Sequence, residues 1–301
     1  MMGTTKDVAI VGAGPAGISA AIYLKRAGID PLVFERKRIG GLLINANLVE
    51  NYPGFPDGIS GRDLVRLLVE QLSRIGIKVI IDEVLRVEFK DDMFHLETDQ
   101  KEFIVRFLVF ATGTRPKNIE LKGFESLVGS KLFFEIVDIT SNWKGKHFLI
   151  IGGGDAAFDY ALNLAANHSK VDIIFRSRKP KCIPLLLDRA KKETRIRLLS
   201  EYIPEAVYRE HDSVSLKCRS GNDKIFLRGD YVIIACGREP NLDALPARLK
   251  ANTVIRPGEK EKSNLFFIGD IARESHRQLG IAVGDGIDAA MEIARRIAEG
   301  I

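Results

Sequence analysis

Cysteine is scarce. The 301 residues hold three, Cys182, Cys218 and Cys236, and no two of them are separated by just two residues. No Cys/His cluster has the spacing of a metal site. This argues against a disulfide-stapled secreted domain and against structural zinc, so no metal is expected. A long uninterrupted apolar run is also missing, which leaves no candidate for a membrane span. Residues 8–24 come nearest, but they hold three glycines and a proline and match a nucleotide motif better than a signal segment. There is no low-complexity tract. A cytoplasmic protein without a membrane partner is expected. Charge of one sign is barely in excess, at +5, too mild to imply nucleic acid. The basic residues are spread out except at Arg176–Lys181 and Lys191–Arg197. Either cluster suits an acidic protein or a phosphorylated cofactor, with a plain solvated face as the alternative.

What is present is an ordinary globular composition, 46% hydrophobic and 28% charged, on a chain long enough for two domains. Asp7–Val11 reads as a strand. It ends in Gly12-Ala13-Gly14-Pro15-Ala16-Gly17, and helical periodicity starts at once. Gly12 suits a tight turn, Gly14 a close approach of backbone to phosphate, and Gly17 close packing of helix on strand. The helix start offers unpaired N–H groups to an anion. A second strand ends at Glu35, placed to meet ribose hydroxyls.

Turn-rich sequence follows, with Gly40-Gly41 and Glu50-Asn51-Tyr52-Pro53-Gly54-Phe55. Residues 60–75 predict a helix capped by Ser60, with Leu64, Leu67, Leu68 and Leu72 on one face. Strands are predicted at Lys78–Ile81, Leu85–Phe89, Phe94–Thr98 and Glu102–Phe110, the last entering Ala111-Thr112-Gly113. The pattern then restarts. A strand at Lys146–Ile151 meets Gly152-Gly153-Gly154-Asp155-Ala156-Ala157, a helix runs to about Asn167, and a second strand covers Val171–Phe175. Two βαβ nucleotide units imply two dinucleotides. The second strand here ends in Arg176-Ser177-Arg178 rather than an acid, which suits the 2′-phosphate of NADP(H), whereas Glu35 suits the free ribose of FAD. Further strands are predicted at Val214–Cys218, Lys224–Leu227, Asp230–Ala235 and Leu265–Asp270, with a closing helix at about Ile281–Glu299.

In order, these motifs resemble the low-molecular-weight thioredoxin reductase-like flavoproteins of the pyridine nucleotide-disulfide oxidoreductase superfamily. The match runs through Gly-Arg-Glu-Pro-Asn at 237–241, Gly269-Asp270, Arg277-Gln278 and Gly284-Asp285-Gly286. The resemblance implies an α/β fold of two Rossmann-like domains of the three-layer ββα type. The FAD-binding domain comes from residues 1–116 and 240–301, with the NAD(P)H-binding domain inserted at 117–239. The crossings near 115–118 and 238–242 are short. It implies a homodimer and an oxidoreductase using FAD and NADPH. FAD would be held by Gly12, Gly14, Pro15, Ala16, Gly17, Glu35 and Arg36. Further along the chain Gly41, Leu42, Asn51, Ala111, Thr112 and Gly113 would contribute, and near the C-terminus Gly269, Asp270, Arg277, Gln278 and Ala282. NADPH would be held by Gly152, Gly154, Asp155, Ala156, Arg176, Arg178 and Gly237.

One departure bears on activity. Thioredoxin reductases carry a Cys-x-x-Cys before the second nucleotide strand, and the gap-free overlay puts Glu135 and Asp138 at those two positions. A dithiol takes two electrons by disulfide exchange and two carboxylates do not. The subgroup without the pair, the ferredoxin (flavodoxin)–NADP reductases, passes electrons to a small acidic carrier, which the basic surplus fits. An NAD(P)H oxidase or low-molecular-weight disulfide reductase and a non-catalytic flavin binder stay open. So do two roles for Glu135 and Asp138, surface charge or helix start on one hand and a proton relay on the other. His276 is either a proton donor or an exposed loop residue. Cys236 reads as a small core residue and Cys182 as a thiol whose pKa basic neighbours lower.

Overall fold

A computed structural model describes residues 4–117, 119–250 and 264–300. The chain begins with β1 (Thr4–Val11), α1 (Pro15–Arg26) and β2 (Leu32–Glu35), a parallel pair with Ile10 opposite Val33. Proline opens α1, where its missing N–H has no intrahelical partner to lose. In α2 (Gly61–Arg74) the predicted cap is in place: Ser60 Oγ accepts the Asp63 N–H at 3.1 Å. Leu64 and Leu72 are buried, while Leu67 lies at the surface.

Next come β3 (Val79–Ile81), the antiparallel run β4 (Val84–Lys90), β5 (Met93–Thr98) and β6 (Glu102–Phe110), and then β7 (Thr114–Pro116). The middle of the chain forms β8 (Leu132–Phe133), β9 (His147–Ile151), α3 (Asp155–Ala166), β10 (Lys170–Phe175), α4 (Pro184–Lys192) and β11 (Ile196–Ser200). The antiparallel strands β12 (Ile203–Glu210), β13 (Ser213–Ser220) and β14 (Asp223–Gly229) follow, then β15 (Tyr231–Ile234) and β16 (Arg238–Pro240). The last elements are α5 (Ala247–Lys250), β17 (Leu265–Phe267) and α6 (Leu279–Ala298). The strand expected over Leu265–Asp270 stops at Phe267, because Gly269 at φ +71° turns the chain into a 3-10 turn. The basic run 191–197 is the end of α4 and the start of β11, which charge alone did not reveal.

Chain contacts divide the molecule into two compact units. The first holds Met1–Ile44, Val49–Arg115 and Glu239–Ile301, and the second Pro116–Arg238 together with Asn45–Leu48. That last segment is a correction, since residues 45–48 were assigned by sequence to the first domain. In the first unit the sheet order is β3-β2-β1-β6-β5-β4. The early half of β6 pairs with β5, and its last three residues, Leu108–Phe110, pair with β17. The strand period of two sorts the core. Val8, Ile10, Val33, Phe107 and Val109 pack with residues of α1 and α6. The alternate residues Ala9, Val11, Phe34, Leu108 and Phe110 pack with Val87, Phe94 and Leu96 of the antiparallel run.

The second unit repeats this scheme on a parallel sheet of order β11-β10-β9-β15-β8. Phe148, Ile150, Val171 and Ile173 pack with Ala157, Ala161 and Leu164 of α3. Leu149, Ile151 and Ile174 pack with Val207, Leu216 and Cys218 of the β12–β14 sheet. Each unit is thus helix, parallel sheet and antiparallel sheet in layers, as the family resemblance implied.

Candidate functional site

In the first unit the C-terminal ends of β1 and β6 and the starts of α1 and α6 form one cradle. Gly12 has φ +109°, and a Cβ there would fall 2.3 Å from the Ala111 carbonyl oxygen. A Cβ on Gly17 would fall 1.9 Å from the Gly12 oxygen, so both positions require glycine. Gly14 differs: no atom lies within 4 Å of where its Cβ would be, and no side chain caps α1. Open space above an uncapped helix start is what a pyrophosphate needs.

Gly41 abuts Gly14, its hypothetical Cβ 3.4 Å from the Gly14 Cα. One on Gly269 would lie 2.8 Å from Ala16 Cβ and 3.7 Å from Ala282 Cβ. Glu35 sits at the end of β2, where its carboxylate accepts from Ala13 N at 3.0 Å and from Lys37 N at 3.0 Å. Thr112 Oγ1 donates to the Asn241 carbonyl at 2.6 Å, and Gly113 O accepts the Asn241 N–H. Asn51 Nδ2 donates to Gln278 Oε1 at 2.6 Å, just before α6. Arg277 donates to the Arg273 carbonyl, and Arg273 pairs with Asp285 at 2.6 Å. Arg36 pairs with Glu83 at the surface, Leu42 lies in the 3-10 turn Gly41–Asn45, and Asp270 lies in the one after Gly269. His276 is an exposed loop residue just after the bend at Glu274-Ser275, and its Nδ1 meets Ser275 Oγ at 3.0 Å.

The second unit has its own cradle at the C-terminal ends of β9, β10 and β15. A Cβ on Gly152 (φ +148°) would fall 2.3 Å from the Ala235 oxygen, whereas Gly154 faces open space at an uncapped α3. Arg176 and Arg178 follow β10, are exposed and form no ion pair among the described residues. Asp155 accepts the Ile183 N–H at 2.8 Å, and Lys181 N donates to Gly153 O. The segment after the arginines is thereby folded back over the glycine turn. Ala156 is exposed beside it, and Gly237 (φ +108°) accepts from Lys117 N. Both cradles fit dinucleotides.

Glu135 is not surface charge. It is 8% exposed and stands at the start of the 3-10 turn Ile136–Asp138, as one sequence reading had it, but its side chain does not cap that turn. Its Oε1 accepts from Arg238 Nη1 at 2.6 Å, and its Oε2 accepts from Asn45 Nδ2 at 2.9 Å and from the Tyr160 hydroxyl. Burial pushes its pKa up, opposed by the Arg238 charge and the Tyr160 hydrogen bond. Nearby, Asp159 accepts the Asn47 N–H at 2.9 Å, and burial pushes its pKa up to about 6. Sequence reasoning missed Asn45, Tyr160, Asp159 and Arg238 because they meet Glu135 or its neighbours only after folding. Asp138 is partly exposed at the end of the 3-10 turn Ile136–Asp138.

The cysteine readings are corrected too. Cys182 has its pKa raised by burial and by Asp155, not lowered by the neighbouring bases. Cys236 is exposed rather than core, and its thiol donates to the Ile151 carbonyl at 3.3 Å. Cys218 is the core cysteine, and burial pushes it up to about 12. No group of metal-ligating side chains occurs among the described residues, and none of their helices is long and apolar enough to cross a membrane.

Residues 6–286 match the family described as pyridine nucleotide-disulphide oxidoreductase. The chain belongs to that family. Within this oxidoreductase family it is similar to the thioredoxin reductase of Treponema pallidum, 31% identical over 302 residues and 98% of each chain. A protein described as a 34.2 kDa protein in the rubredoxin operon of Clostridium pasteurianum is 29% identical over 95% of each chain. Among solved structures, Lactococcus lactis thioredoxin reductase superposes with a TM-score of 0.86 at 28% identity, covering 98% of this chain and 99% of its own. The thioredoxin reductase-like members of the family use FAD and NADPH and are typically homodimers.

Proposed function

We propose that this chain passes electrons from NADPH by way of FAD to an acceptor other than thioredoxin, with ferredoxin or flavodoxin as the first candidate. The observation that carries this is Glu135. It stands where the resemblance puts the first cysteine of the redox pair, and its carboxylate is held by Arg238, Tyr160 and Asn45. A carboxylate has no thiol–disulfide couple, and the three cysteines of the chain form no neighbouring pair.

Bound FAD supplies the redox chemistry, accepting hydride from the nicotinamide and releasing electrons. The chain's own residues bind and orient. In this reading the first unit seats FAD, with Gly14 and Gly41 at the pyrophosphate, Glu35 at the ribose, Asp270 along the linker, and Gln278 and Ala282 at the start of α6. The second unit seats NADPH, with Gly154 at the pyrophosphate and Arg176 and Arg178 at the 2′-phosphate. A basic chain of pI about 9.0 suits an acidic carrier, and a relative from a rubredoxin operon adds to that reading. The raised pKa of Cys182 weighs against a thiol-based alternative. The protein would act as a homodimer in the cytoplasm.

The test begins with anaerobic titration of the FAD-loaded protein with NADPH and, separately, NADH, following flavin absorbance. Bleaching at far lower NADPH than NADH is expected, followed by cytochrome c reduction that requires added ferredoxin or flavodoxin. The reading fails if neither nucleotide bleaches the flavin, or if thioredoxin is reduced at the rate of a dithiol enzyme.

A further inference from the structure

The N-terminal edge of the second unit's parallel sheet, the edge away from Gly152–Gly154, carries a concentration of positive charge that the nucleotide reading does not use. Three strand starts lie side by side there. Lys170 N donates to Lys146 O at 3.0 Å and Val171 N donates to Arg195 O at 2.9 Å, so Lys146, Lys170 and Arg195 stand one per strand across the edge. At the usual strand spacing these three span about 10 Å. Lys144 precedes the first, and the last turn of α4 ends at Lys191 and Lys192.

Residues 143–147, 167–172 and 189–197 together hold eight Lys/Arg and two Asp/Glu, a net +6 against +5 for the whole chain. Everything outside this edge is therefore close to neutral. These two acids, and Asp230 at the neighbouring start of β15, are already engaged: the buried Asp172 pairs with Arg197 and His147, Glu193 pairs with Arg195, and Asp230 accepts the His147 N–H at 2.8 Å. Lys144, Lys146, Lys170, Lys191 and Lys192 are all exposed and form no ion pair among the described residues. Elsewhere on the surface, lysines such as Lys6, Lys25 and Lys217 sit beside carboxylates.

We infer that this edge is a docking surface for an acidic protein, at the opposite end of the sheet from the second unit's dinucleotide cradle and independent of which carrier takes the electrons. The nearby side chains argue against two other polyanions. Trp143, the aromatic residue beside the patch, packs edge-on against Phe148 at 6.2 Å and is not presented for stacking on a base. None of the large apolar side chains exposed at the surface falls within 143–147, 167–172 or 189–197, so nothing there anchors in a bilayer. Carboxylates on a folded partner or an acidic segment match a lysine ridge without either.

The experiment uses the full FAD-loaded chain and labelled poly-L-glutamate as the acidic polypeptide, with binding read by fluorescence anisotropy at low salt and at about 0.3 M salt. The patch variant is Lys146→Glu, Lys170→Glu, Lys192→Glu. A charge-matched control carries Lys78→Glu, Lys90→Glu, Lys224→Glu, all exposed and off this edge. Both are first shown to melt, and to reduce ferricyanide with NADPH, as the parent does. The patch variant is expected to lose at least about 10-fold in affinity while the control loses less than about 2-fold. Equal losses would overturn the inference, since net charge alone would then govern binding. So would tighter binding by the parent to duplex DNA or to phosphatidylserine vesicles than to poly-L-glutamate.

Discussion

Replacing Arg238 by Met strands a carboxylate in the second unit. The side chains of Glu135 and Arg238 are 11% and 23% exposed and meet at 2.6 Å. Removing one member of a pair this buried costs about 3 kcal/mol, because the remaining charge loses its partner but not its desolvation. With a urea slope of about 2 kcal/mol/M, the unfolding midpoint should fall by about 1.5 M. The assay is specific to the unit concerned. The chain has a single tryptophan, Trp143, packed against Phe148 in the second unit's core, so its fluorescence reports that unit.

Adding Glu135→Gln to Arg238→Met should restore part of the loss, since a neutral amide needs no cation. The pH dependence has a definite sign. Burial holds the folded pKa of Glu135 above its unfolded value, so its contribution is fully present below the unfolded pKa and is lost as pH rises through the folded one. Without Arg238 the folded value rises further. The Arg238→Met penalty should therefore be largest near pH 8 and shrink toward pH 5. A penalty below about 1 kcal/mol at pH 8, or one equal at both pH values, would refute the buried ion pair.

Two further outcomes follow from the geometry. Changing both Arg176 and Arg178 to Ala should raise KM for NADPH about 10- to 100-fold and leave KM for NADH unchanged in steady-state assays, since only the 2′-phosphate is lost as a partner; equal changes for both nucleotides would refute the assignment. At Asp172 desolvation acts to raise the pKa, but hydrogen bonds from His147 and Arg197 hold it below the unfolded value, so its stabilisation is present above the unfolded pKa and lost as pH falls through the folded one. Asp172→Asn should cost about 1–2 kcal/mol at pH 7, discounted for the exposure of Arg197, and the difference from the parent should shrink as pH falls through the folded pKa of Asp172 in Trp143-monitored unfolding.

The layered fold was legible because both glycine turns sit between an apolar strand and a periodic helix, and because Ser60 and its helix follow local rules. The elements that were missed have weak local signals. β8 is two residues long and takes its pairing from β15. α4 and β11 hide inside a run of basic residues, where charge masks periodicity. At the candidate site, the glycines announce themselves through φ and close contacts that only glycine permits. Glu135 was visible only as a residue out of place. Its burial depends on Asn45, 90 positions earlier, and on Arg238, 103 positions later, and no linear pattern encodes such a meeting. The cysteines misled for the same reason. Flanking bases suggested a low pKa for Cys182, but burial first, and then the charge of Asp155, pushes it up.

The divided pairing of β6 has a consequence for biosynthesis. Its partners β1 and β5 precede it in the chain, but β17 begins at Leu265, some 155 residues after Phe110. On the ribosome, Leu108, Val109 and Phe110 wait through the synthesis of the whole inserted unit with one backbone edge unpaired. All three are fully buried in the finished protein. A chain released before residue 265 would keep that short, greasy edge open, and such nascent fragments would be prone to edge-to-edge association and dependent on chaperones.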